Sequence, residues 1–286
     1  MVKKYGELYL DARKKLLATE QDQAANIARE LLSHVSGKSV ARLLADRELY
    51  ASEQIEADLD RAVERILNEE PLAYVLGQWS FYGLNLTVSP DVLIPRDDSM
   101  AVTDLAIQAL EQMEQLRPRV LDLCTGSGCI GLAIAHMVPT ARVTLADISA
   151  DALKVAKKNI QDLKFSGRVS AFEVDARQKP NKFLGTFDLI VCNPPYVTGA
   201  QMQTLDRSVR DYEPHLALYG GEDGLEFYRK IAANYYPALK EDGYLCFEFG
   251  LGQHTSVQKI LADAGYRDIR LQKDLRGIIR AVIAQK

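Results

Sequence analysis

Apolar residues in the first part of the chain recur at the spacing of amphipathic helices. Leu8, Ala12 and Leu16 lie four residues apart, and similar helical spacing returns after them. Gly37 interrupts this pattern, which then resumes. Because no segment here reads as a candidate strand, we predict a small, separate helical domain over residues 1–70.

The pattern changes at Pro71, where β character begins. Gly77 and Gly83 divide the segment into two short runs, as in a hairpin. We therefore predict a β-hairpin linker over residues 71–95. Asp97, Asp98 and Ser99 follow this linker. These residue types cap helix N-termini, so they predict a helix that continues to about residue 116.

From Arg119 onward the pattern alternates between strands and helices. The predicted strands are residues 119–124, 142–147, 169–173, 186–192, 243–249, 266–271 and 278–284. The predicted helices are residues 129–137, 149–163, 223–239 and 253–264. This alternation predicts an α/β fold with a doubly wound, mostly parallel seven-stranded sheet over residues 96–286. The last two strands have no helix between them, so the final strand should be antiparallel.

Composition and charge narrow the class of protein. The 286 residues are 47% hydrophobic and 26% charged, with a net charge of −4, which is ordinary for a globular protein. The chain has no excess of basic residues, which argues against binding along the phosphate backbone of a nucleic acid. The start of the chain has no signal-peptide pattern, and no apolar stretch reaches the roughly 20 residues of a membrane span.

The four cysteines indicate neither a metal site nor disulfides. Cys124, Cys192 and Cys246 fall in or at the end of predicted strands, as small core residues do, and no C-x-x-C pair exists. Histidine is scarce, so we expect no structural metal. A reducing, cytoplasmic compartment fits these thiols.

A glycine-rich turn follows the first predicted strand of the sheet. Gly126, Gly128 and Gly131 satisfy G-x-G-x-x-G, and Asp147 ends the next predicted strand. This combination is typical of a dinucleotide site, with the acid on ribose hydroxyls. The same geometry suits S-adenosyl-L-methionine. A plain tight turn, and a helix-capping role for Asp147, are the structural alternatives.

Two acids favour S-adenosyl-L-methionine over a dinucleotide. Asp122 precedes the turn, where a carboxylate would repel a pyrophosphate and could organise a cationic ammonium group. Asp175 and Ala176 follow the third predicted strand, where such folds place residues beside adenine. For Asp175, an ordinary turn residue is an equally good interpretation.

The tetrapeptide Asn193-Pro194-Pro195-Tyr196 follows a buried apolar strand. Proline has no N–H for a sheet ladder, so the chain must leave the sheet there in a stiff turn. Asn193 would then lie at the carboxyl end of a strand, where open α/β sheets bind ligands. The turn predicts a cradle of hydrogen-bond acceptors suited to an NH2 group, although a rigid structural turn is the simpler alternative.

With this NPPY motif, the chain resembles the class I S-adenosylmethionine-dependent, Rossmann-like methyltransferases that modify the glutamine of peptide chain release factors. The resemblance covers most of the chain. It includes the segments 71–77, 81–84, 92–96, 147–149, 187–196, 220–225, 248–250 and 273–277, together with the glycine turn. It implies an N-terminal substrate-docking domain, and methylation of the side-chain amide nitrogen in the Gly-Gly-Gln loop of a release factor. S-adenosyl-L-homocysteine would be the product, and a monomer is expected.

The resemblance also implies roles for individual residues. Asn193 and the Pro194 backbone would accept hydrogen bonds from the substrate NH2 group, and Tyr196 would pack on the glutamine side chain. Pro195 and Arg96 complete the implied substrate site. The implied cofactor site comprises Asp122, Cys124, Thr125, Gly126, Ser127, Gly128, Asp147, Ile148, Asp175, Ala176 and Asn193.

Three departures from the family pattern stand out. Asp97, Asp98 and Ser99 replace a Pro-Glu-Thr segment, and Ala176 replaces an aromatic residue common in relatives. Cys124 stands where a glycine is common, so we expect its φ angle not to be positive.

Three other functions remain compatible with parts of the pattern. The NPPY motif also suits methylation of an exocyclic amine of RNA or DNA, although the acidic charge balance opposes it. The G-x-G-x-x-G match alone permits a dinucleotide-dependent oxidoreductase. A non-catalytic binding module is the remaining alternative. For Glu213 and Glu248 a structural role is as good an interpretation as a role in the site, and the C-terminal basic residues, including Arg280, are expected to form a solvated face.

Overall fold

The computed structural model describes residues 2–286, and contacts divide the chain into two compact units. The first unit comprises the chain up to Gly77 together with Arg207–Tyr212, and the second comprises Gln78–Asp206 and Glu213–Lys286. This contact division differs from the predicted domains 1–70, 71–95 and 96–286. Residues 71–77 group with the helical unit, and the hairpin groups with the sheet.

The helices and strands over residues 2–286 follow one another in an order typical of a helical domain joined to an α/β domain. In chain order they are α1 Tyr5–Leu16, α2 Ala24–Ser36, α3 Val40–Ala45, α4 Glu53–Leu67, α5 Leu72–Leu76, β1 Gln78–Phe81, β2 Leu84–Thr87, α6 Met100–Gln112, β3 Arg119–Leu123, α7 Cys129–Met137, β4 Arg142–Asp147, α8 Ala150–Asp162, β5 Val169–Glu173, β6 Phe187–Cys192, α9 Gly199–Met202, α10 Arg207–Arg210, α11 Glu226–Tyr235, β7 Leu239–Glu248, α12 His254–Asp263, β8 Arg267–Lys273 and β9 Ile279–Gln285.

The helical unit forms as its apolar spacing predicts. Leu8, Leu16, Leu31 and Leu59 are among the residues that fill its core. Helix α2 ends at Gly37, whose φ of 64° is the left-handed conformation that glycine adopts easily. Burial of the apolar faces therefore holds these helices together, as expected for helices too short to be stable alone.

The prediction of β structure over residues 74–76 is wrong. Leu72–Leu76 is the short helix α5, with Pro71 at its N-cap and Gly77 (φ 67°) ending it. Strands β1 and β2 then pair as an antiparallel hairpin. Tyr82 and Gly83 both have positive φ at its turn, which matches the twist of the flanking strands.

The second unit contains the predicted seven-stranded sheet. The strand order is β5-β4-β3-β6-β7-β9-β8. Neighbouring strands are parallel except for β9, which is antiparallel to both β7 and β8. This confirms the doubly wound fold and the antiparallel final strand. Every residue of β6 is buried, as expected for a strand at the centre of the sheet.

One hydrophobic core lies on each face of the sheet. Residues of α6, α7 and α8 pack on one face, and residues of α11 and α12 pack on the other. Strand β3 lies between β4 and β6, and the chain order of the strands runs in opposite directions on its two sides. At such a switch point the carboxyl ends of the strands open a crevice, which is the usual ligand site of this architecture.

The segment before α6 differs from the prediction. Asp97–Ser99 forms one turn of 3₁₀ helix, and α6 begins at Met100. Ser99 precedes α6 but makes no side-chain cap, and the helix ends at Gln112 rather than near residue 116. The Ser99 hydroxyl is therefore available for another contact, which lies at the candidate site.

Candidate active site

A cleft opens at the carboxyl ends of the central strands, at the switch point of the sheet. It encloses about 950 Å³ of empty space, including its open mouth. Segments that follow β3, β4, β5 and β6 line it, together with residues 91–99 and 214–217 and one residue of α11. The sheet therefore gathers segments that are far apart in sequence into one site.

The glycine turn supplies the cleft wall after β3. Cys124, Thr125, Gly126 and Ser127 line the cleft, whereas Gly128 precedes α7 with a φ of 86°. Gly126 has a φ of 53°, and no atom lies within 4 Å of the position where a Cβ would stand. The backbone is thus open on this side, so a ligand can approach it closely.

The expectation for Cys124 is wrong. Its φ is 56°, so a residue with a Cβ occupies the left-handed conformation at the start of the turn. This conformation costs about 1–2 kcal/mol for an L-residue other than glycine. The turn keeps the geometry that glycine would adopt freely, because Thr125 N donates to Ala146 O at 3.1 Å and Gly128 N donates to Thr125 O at 2.8 Å.

Asp122 lies behind the turn and is not among the residues that line the cleft. Its Oδ2 accepts from Thr125 Oγ1 at 2.5 Å and from the Gly131 N–H at 2.9 Å. Among the described residues, its Oδ1 has no hydrogen-bond partner. Burial raises the pKa of this carboxyl to about 7. The structure therefore gives Asp122 the task of holding the loop.

Asp147 ends β4 and lines the cleft as predicted. Its Oδ2 accepts from the Gly126 N–H at 2.8 Å, and its Oδ1 accepts from the Ser149 N–H at 3.0 Å. Burial raises the pKa of its carboxyl. Ser149 itself caps α8 by accepting from Ala152 N, so Asp147 is not the side-chain cap. Ile148, also predicted, lines the cleft and is exposed.

The residues after β5 form the next part of the wall. Asp175 and Ala176 line the cleft as predicted. Arg177, which the sequence did not single out, binds Asp175 through two nitrogens at 3.0 and 3.1 Å, and this hydrogen bonding lowers the pKa of the carboxyl. Phe227 on α11 also lines the cleft, with its ring 5.7 Å from the Arg177 guanidinium. An aromatic ring is therefore present here although residue 176 is alanine.

The NPPY turn leaves the sheet at the end of β6. Asn193 and Pro195 line the cleft. Pro194 is buried, and Tyr196 packs against the core cluster of α11 and α12. Burial raises the pKa of the Tyr196 hydroxyl. The fold thus brings the predicted amide to the cleft, and the prolines hold the chain direction there.

Glycines of the 220–224 segment are required because this segment lies directly on the NPPY turn. A Cβ at Gly220 would stand 2.5 Å from Pro195 O and 2.6 Å from Tyr196 Cα. Gly220 N also donates to Val197 O at 2.9 Å. The turn is therefore held from outside the sheet as well as by β6.

Asn193 contacts two residues from other elements. Its Nδ2 donates to Ser99 Oγ at 3.3 Å, and it also donates to the carboxylate of Glu248 at the end of β7. Glu248 is 2% exposed, and burial raises the pKa of its carboxyl to about 7. Sequence spacing could not connect these residues, because the sheet alone places β7 beside β6.

Two further ion pairs lie near the cleft. Arg96 lines the cleft as predicted, and its guanidinium donates to the buried Glu213. The expectation of a solvated Arg280 is wrong, since its side chain is 18% exposed and bonds Asp98 at 3.0 Å. Asp98, one of the three departures from the family pattern, thereby ties the 3₁₀ turn to β9.

The charges of the cleft fit a cationic ligand better than a pyrophosphate. Among the described residues, its charged lining consists of Asp91, Arg96, Asp147, Asp175 and Arg177. Both arginines are already paired with carboxylates, so no cation is free to neutralise two phosphates. A carboxylate for a ribose diol, an open glycine backbone and an acidic surplus fit S-adenosyl-L-methionine. Within residues 2–286, no group of three or more His, Cys, Asp or Glu residues is placed to hold a metal ion.

Comparison with known families agrees with this two-part organisation. The family model described as "PrmC N-terminal domain" matches residues 7–77, and the one described as "Methyltransferase small domain" matches residues 99–222. Searched over the described residues, no helix is long and apolar enough to cross a membrane.

Curated relatives match almost the whole chain. The release factor glutamine methyltransferase of Clostridium acetobutylicum is 35% identical over 254 residues, covering 89% of this chain and 88% of that protein. The protein of the same description from Thermodesulfovibrio yellowstonii is 36% identical over 259 residues, covering 91% of each chain.

Solved structures share the fold. The hMettl16 catalytic domain in complex with MAT2A 3′UTR hairpin 6 matches with a TM-score of 0.57 and 16% identity, covering 71% of this chain and 76% of that chain. A methyltransferase from Pyrococcus furiosus matches with a TM-score of 0.50 and 19% identity, covering 79% and 98%. At these identities the likeness extends to the fold alone, which is that of a class I methyltransferase.

Proposed function

This chain belongs to the release factor glutamine methyltransferase family, and we propose that it transfers a methyl group from S-adenosyl-L-methionine to the side-chain amide nitrogen of the glutamine in the Gly-Gly-Gln loop of peptide chain release factors. One observation carries the proposal. Asn193 of the NPPY turn lines the same cleft as the glycine turn and Asp147. A site for the substrate amide and a site for the methyl donor are therefore adjacent.

The donor site uses residues from three strand ends. The Cys124–Ser127 turn would hold the methionyl part, and Asp147 would accept hydrogen bonds from the ribose hydroxyls. Ile148, Asp175, Ala176 and Phe227 would surround the adenine. When bound, S-adenosyl-L-methionine supplies a methyl group on a positively charged sulfur, and the acidic lining of the cleft favours that charge.

The residues on the substrate side of the cleft would act mainly by positioning the substrate amide. An amide nitrogen is a poor nucleophile because its lone pair is delocalised into the carbonyl group. The Asn193 side-chain oxygen and the Pro194 carbonyl would accept hydrogen bonds from the substrate NH2 group and fix its rotation. The same acceptors favour positive charge as it develops on the nitrogen. No general base is needed, since the nitrogen becomes far more acidic once it is methylated.

Other residues would shape the access of the protein substrate. Tyr196 would pack on the glutamine side chain, and Arg96, held by Glu213, would contact the substrate at the cleft. The helical unit, which matches the PrmC N-terminal domain, would dock the release factor. A glutamine carried on a large protein requires such a second contact surface.

A methyl-transfer assay tests the proposal. The purified protein is incubated with methyl-labelled S-adenosyl-L-methionine and, in parallel, with intact release factor, release factor whose loop glutamine is replaced, RNA and DNA. Label should enter only the intact release factor, and Asn193→Ala should abolish transfer while sparing donor binding. Equal labelling of the glutamine-replaced factor, or labelling confined to nucleic acid, would refute the proposal.

A further inference from the structure

Glu248 lies beside Asn193 because of the register of two central strands. Strands β6 and β7 pair in parallel, with Cys192 opposite Phe247 as their last pair. The residues that follow this pair are therefore Asn193, directly after β6, and Glu248, the last residue of β7. Glu248 is also paired with Ala281 of β9, and the Tyr228 hydroxyl donates to its backbone oxygen at 3.0 Å. Its place in the sheet is thus fixed from both sides.

Hydrogen bonds on the Asn193 amide determine which way it faces. Its Nδ2 donates to Ser99 Oγ at 3.3 Å and to the Glu248 carboxylate. The Ser99 hydroxyl in turn donates to the same carboxylate. An amide nitrogen carries two protons, and these two acceptors engage both of them. Held in this way, the amide would turn its side-chain oxygen toward the cleft that Asn193 lines.

We propose that Glu248 is a positioning residue that holds the Asn193 amide with its oxygen toward the cleft, so that this oxygen accepts a hydrogen bond from the NH2 group of the substrate. The inference rests on the proposed function, because it specifies how the acceptor for the glutamine amide is oriented. Glu248 itself does not line the cleft and acts through Asn193.

Folding stability does not explain a carboxylate at this position. Glu248 is 2% exposed, and among the described residues its Oε2 has no hydrogen-bond partner. A buried carboxylate with an unsatisfied oxygen is costly, and an apolar side chain of similar volume would pack there at lower cost. The property that an apolar residue lacks is the ability to accept hydrogen bonds from Asn193 and Ser99.

Orientation by Glu248 is strongest when its carboxyl group is ionised, because charged acceptors form stronger hydrogen bonds. A carboxylate only accepts hydrogen bonds, whereas a protonated carboxyl group also donates one. Burial raises the pKa of Glu248 to about 7, so the ionised form, which only accepts, predominates above neutral pH. The charged and titratable groups that act on it come from several elements: Asp98 before α6, Cys129 on α7, Tyr196 after β6, Tyr228 on α11 and Arg280 on β9. Arg280 favours the ionised form and Asp98 opposes it.

Two substitutions separate positioning from packing. Glu248→Gln keeps an oxygen that can accept from Asn193 and Ser99, but it does not titrate. Glu248→Met keeps the volume and removes the acceptor. Asp188→Asn is the matched control, because Asp188 is a buried carboxylate at the far end of β6 that accepts from Arg119 N and Lys240 Nζ, both at 2.8 Å.

Steady-state methyl transfer to intact release factor is measured between about pH 6 and pH 9 for the wild type and for the three variants. Wild-type kcat should rise with pH through neutrality, and Glu248→Gln should remain active but lose this rise. Asp122, whose carboxyl pKa is also raised to about 7, titrates in the same range, so the difference between the two profiles isolates Glu248. Glu248→Met should lose about a hundredfold in kcat, as for a lost preorganised contact, with little change in KM for the release factor. Asp188→Asn should keep the wild-type profile.

The outcomes distinguish this inference from the function on which it rests. If the wild-type protein does not methylate the release factor, the proposed function fails and the inference falls with it. If the wild type is active and folded Glu248→Met retains kcat within about threefold, Glu248 does not position Asn193. If Glu248→Met does not fold, the Glu248→Gln variant decides alone. The inference is overturned when kcat of Glu248→Gln rises with pH through neutrality as much as kcat of the wild type.

Discussion

Replacing Asp122 with asparagine should remove a pH-dependent penalty from the folded protein. Asp122 is 1% exposed, and its Oδ1 has no hydrogen-bond partner among the described residues. Burial raises its pKa from the ordinary 3.8 to about 7. At about 1.4 kcal/mol per pKa unit, holding this carboxylate ionised in the folded state costs about 4 kcal/mol of unfolding free energy.

The sign of the pH dependence follows from the raised pKa. Between about pH 4 and pH 7 the folded protein keeps the Asp122 proton while the unfolded chain releases it. The folded state then binds more protons, so the free energy of unfolding falls as pH rises through this interval. The stabilisation by the neutral carboxyl is complete below about pH 4 and lost above about pH 7. Glu248, with its pKa raised from 4.5 to about 7, contributes in the same direction.

The assay is urea unfolding of wild type and Asp122→Asn at about pH 5 and about pH 8. The asparagine oxygen can still accept from Thr125 and Gly131, and its nitrogen replaces the unpaired Oδ1. An unsatisfied buried N–H costs about 1–3 kcal/mol, so the net gain at the higher pH should be about 1–3 kcal/mol. This cost does not depend on pH, so the difference between the two pH values is the cleaner measurement.

The control is Asp188→Asn, which should gain no stability at the higher pH because it loses the contact with Lys240. Between about pH 5 and the Asp122 pKa of about 7 lie about two pH units, so the wild-type protein should lose more unfolding free energy than Asp122→Asn between the two pH values, by about 3 kcal/mol. If the free energy of unfolding depends on pH equally in the two proteins, the reasoning is refuted, because burial then does not raise the pKa of the Asp122 carboxyl group.

Three further substitutions test other parts of the site. Cys124→Gly should stabilise the protein by up to about 1 kcal/mol in urea unfolding, because the φ of 56° strains cysteine and not glycine; a loss of stability would contradict this. Gly220→Ala should destabilise it by about 1–3 kcal/mol in the same assay, because its Cβ would stand 2.5 Å from Pro195 O; an unchanged midpoint would show that the segment can move aside. Phe227→Ala should weaken S-adenosyl-L-methionine binding about tenfold by calorimetry, because it removes the aromatic ring of the cleft; unchanged affinity would remove Phe227 from the donor site.

The sheet was predictable from sequence because its strands are short, buried and separated by helices. The structure has β4 and β5 at the predicted residues 142–147 and 169–173. Leu72–Leu76 was not predictable in the same way. It is one helical turn of apolar residues that include tyrosine and valine, and a run this short fits a helix or a strand equally well. Pro71 and Gly77 decide the outcome by starting and ending the turn.

The site was predictable where a local motif carries it. The glycine turn, Asp147 and Asn193 all reach the cleft, because strand ends place them there in any fold of this topology. Local sequence could not show which way the Asp122 carboxylate faces. It also could not show that Glu248 contacts Asn193 or that Arg280 contacts Asp98, since those contacts depend on the order and register of β6, β7 and β9.

Asp122 and Glu248 together indicate what the buried charges of this domain are for. Each is a carboxylate that is nearly fully buried, with one oxygen that has no partner among the described residues. Asparagine at position 122 or an apolar residue at position 248 would fold at lower cost, so stability does not account for the two charges. Both lie one hydrogen bond behind the cleft lining, Asp122 through Thr125 and Glu248 through Asn193. A cationic donor and a nitrogen that becomes positive during transfer would both be favoured by these charges. The loss of folding stability is therefore concentrated at two carboxylates that would serve the proposed methyl transfer, as expected when activity and stability make opposing demands on the same residues.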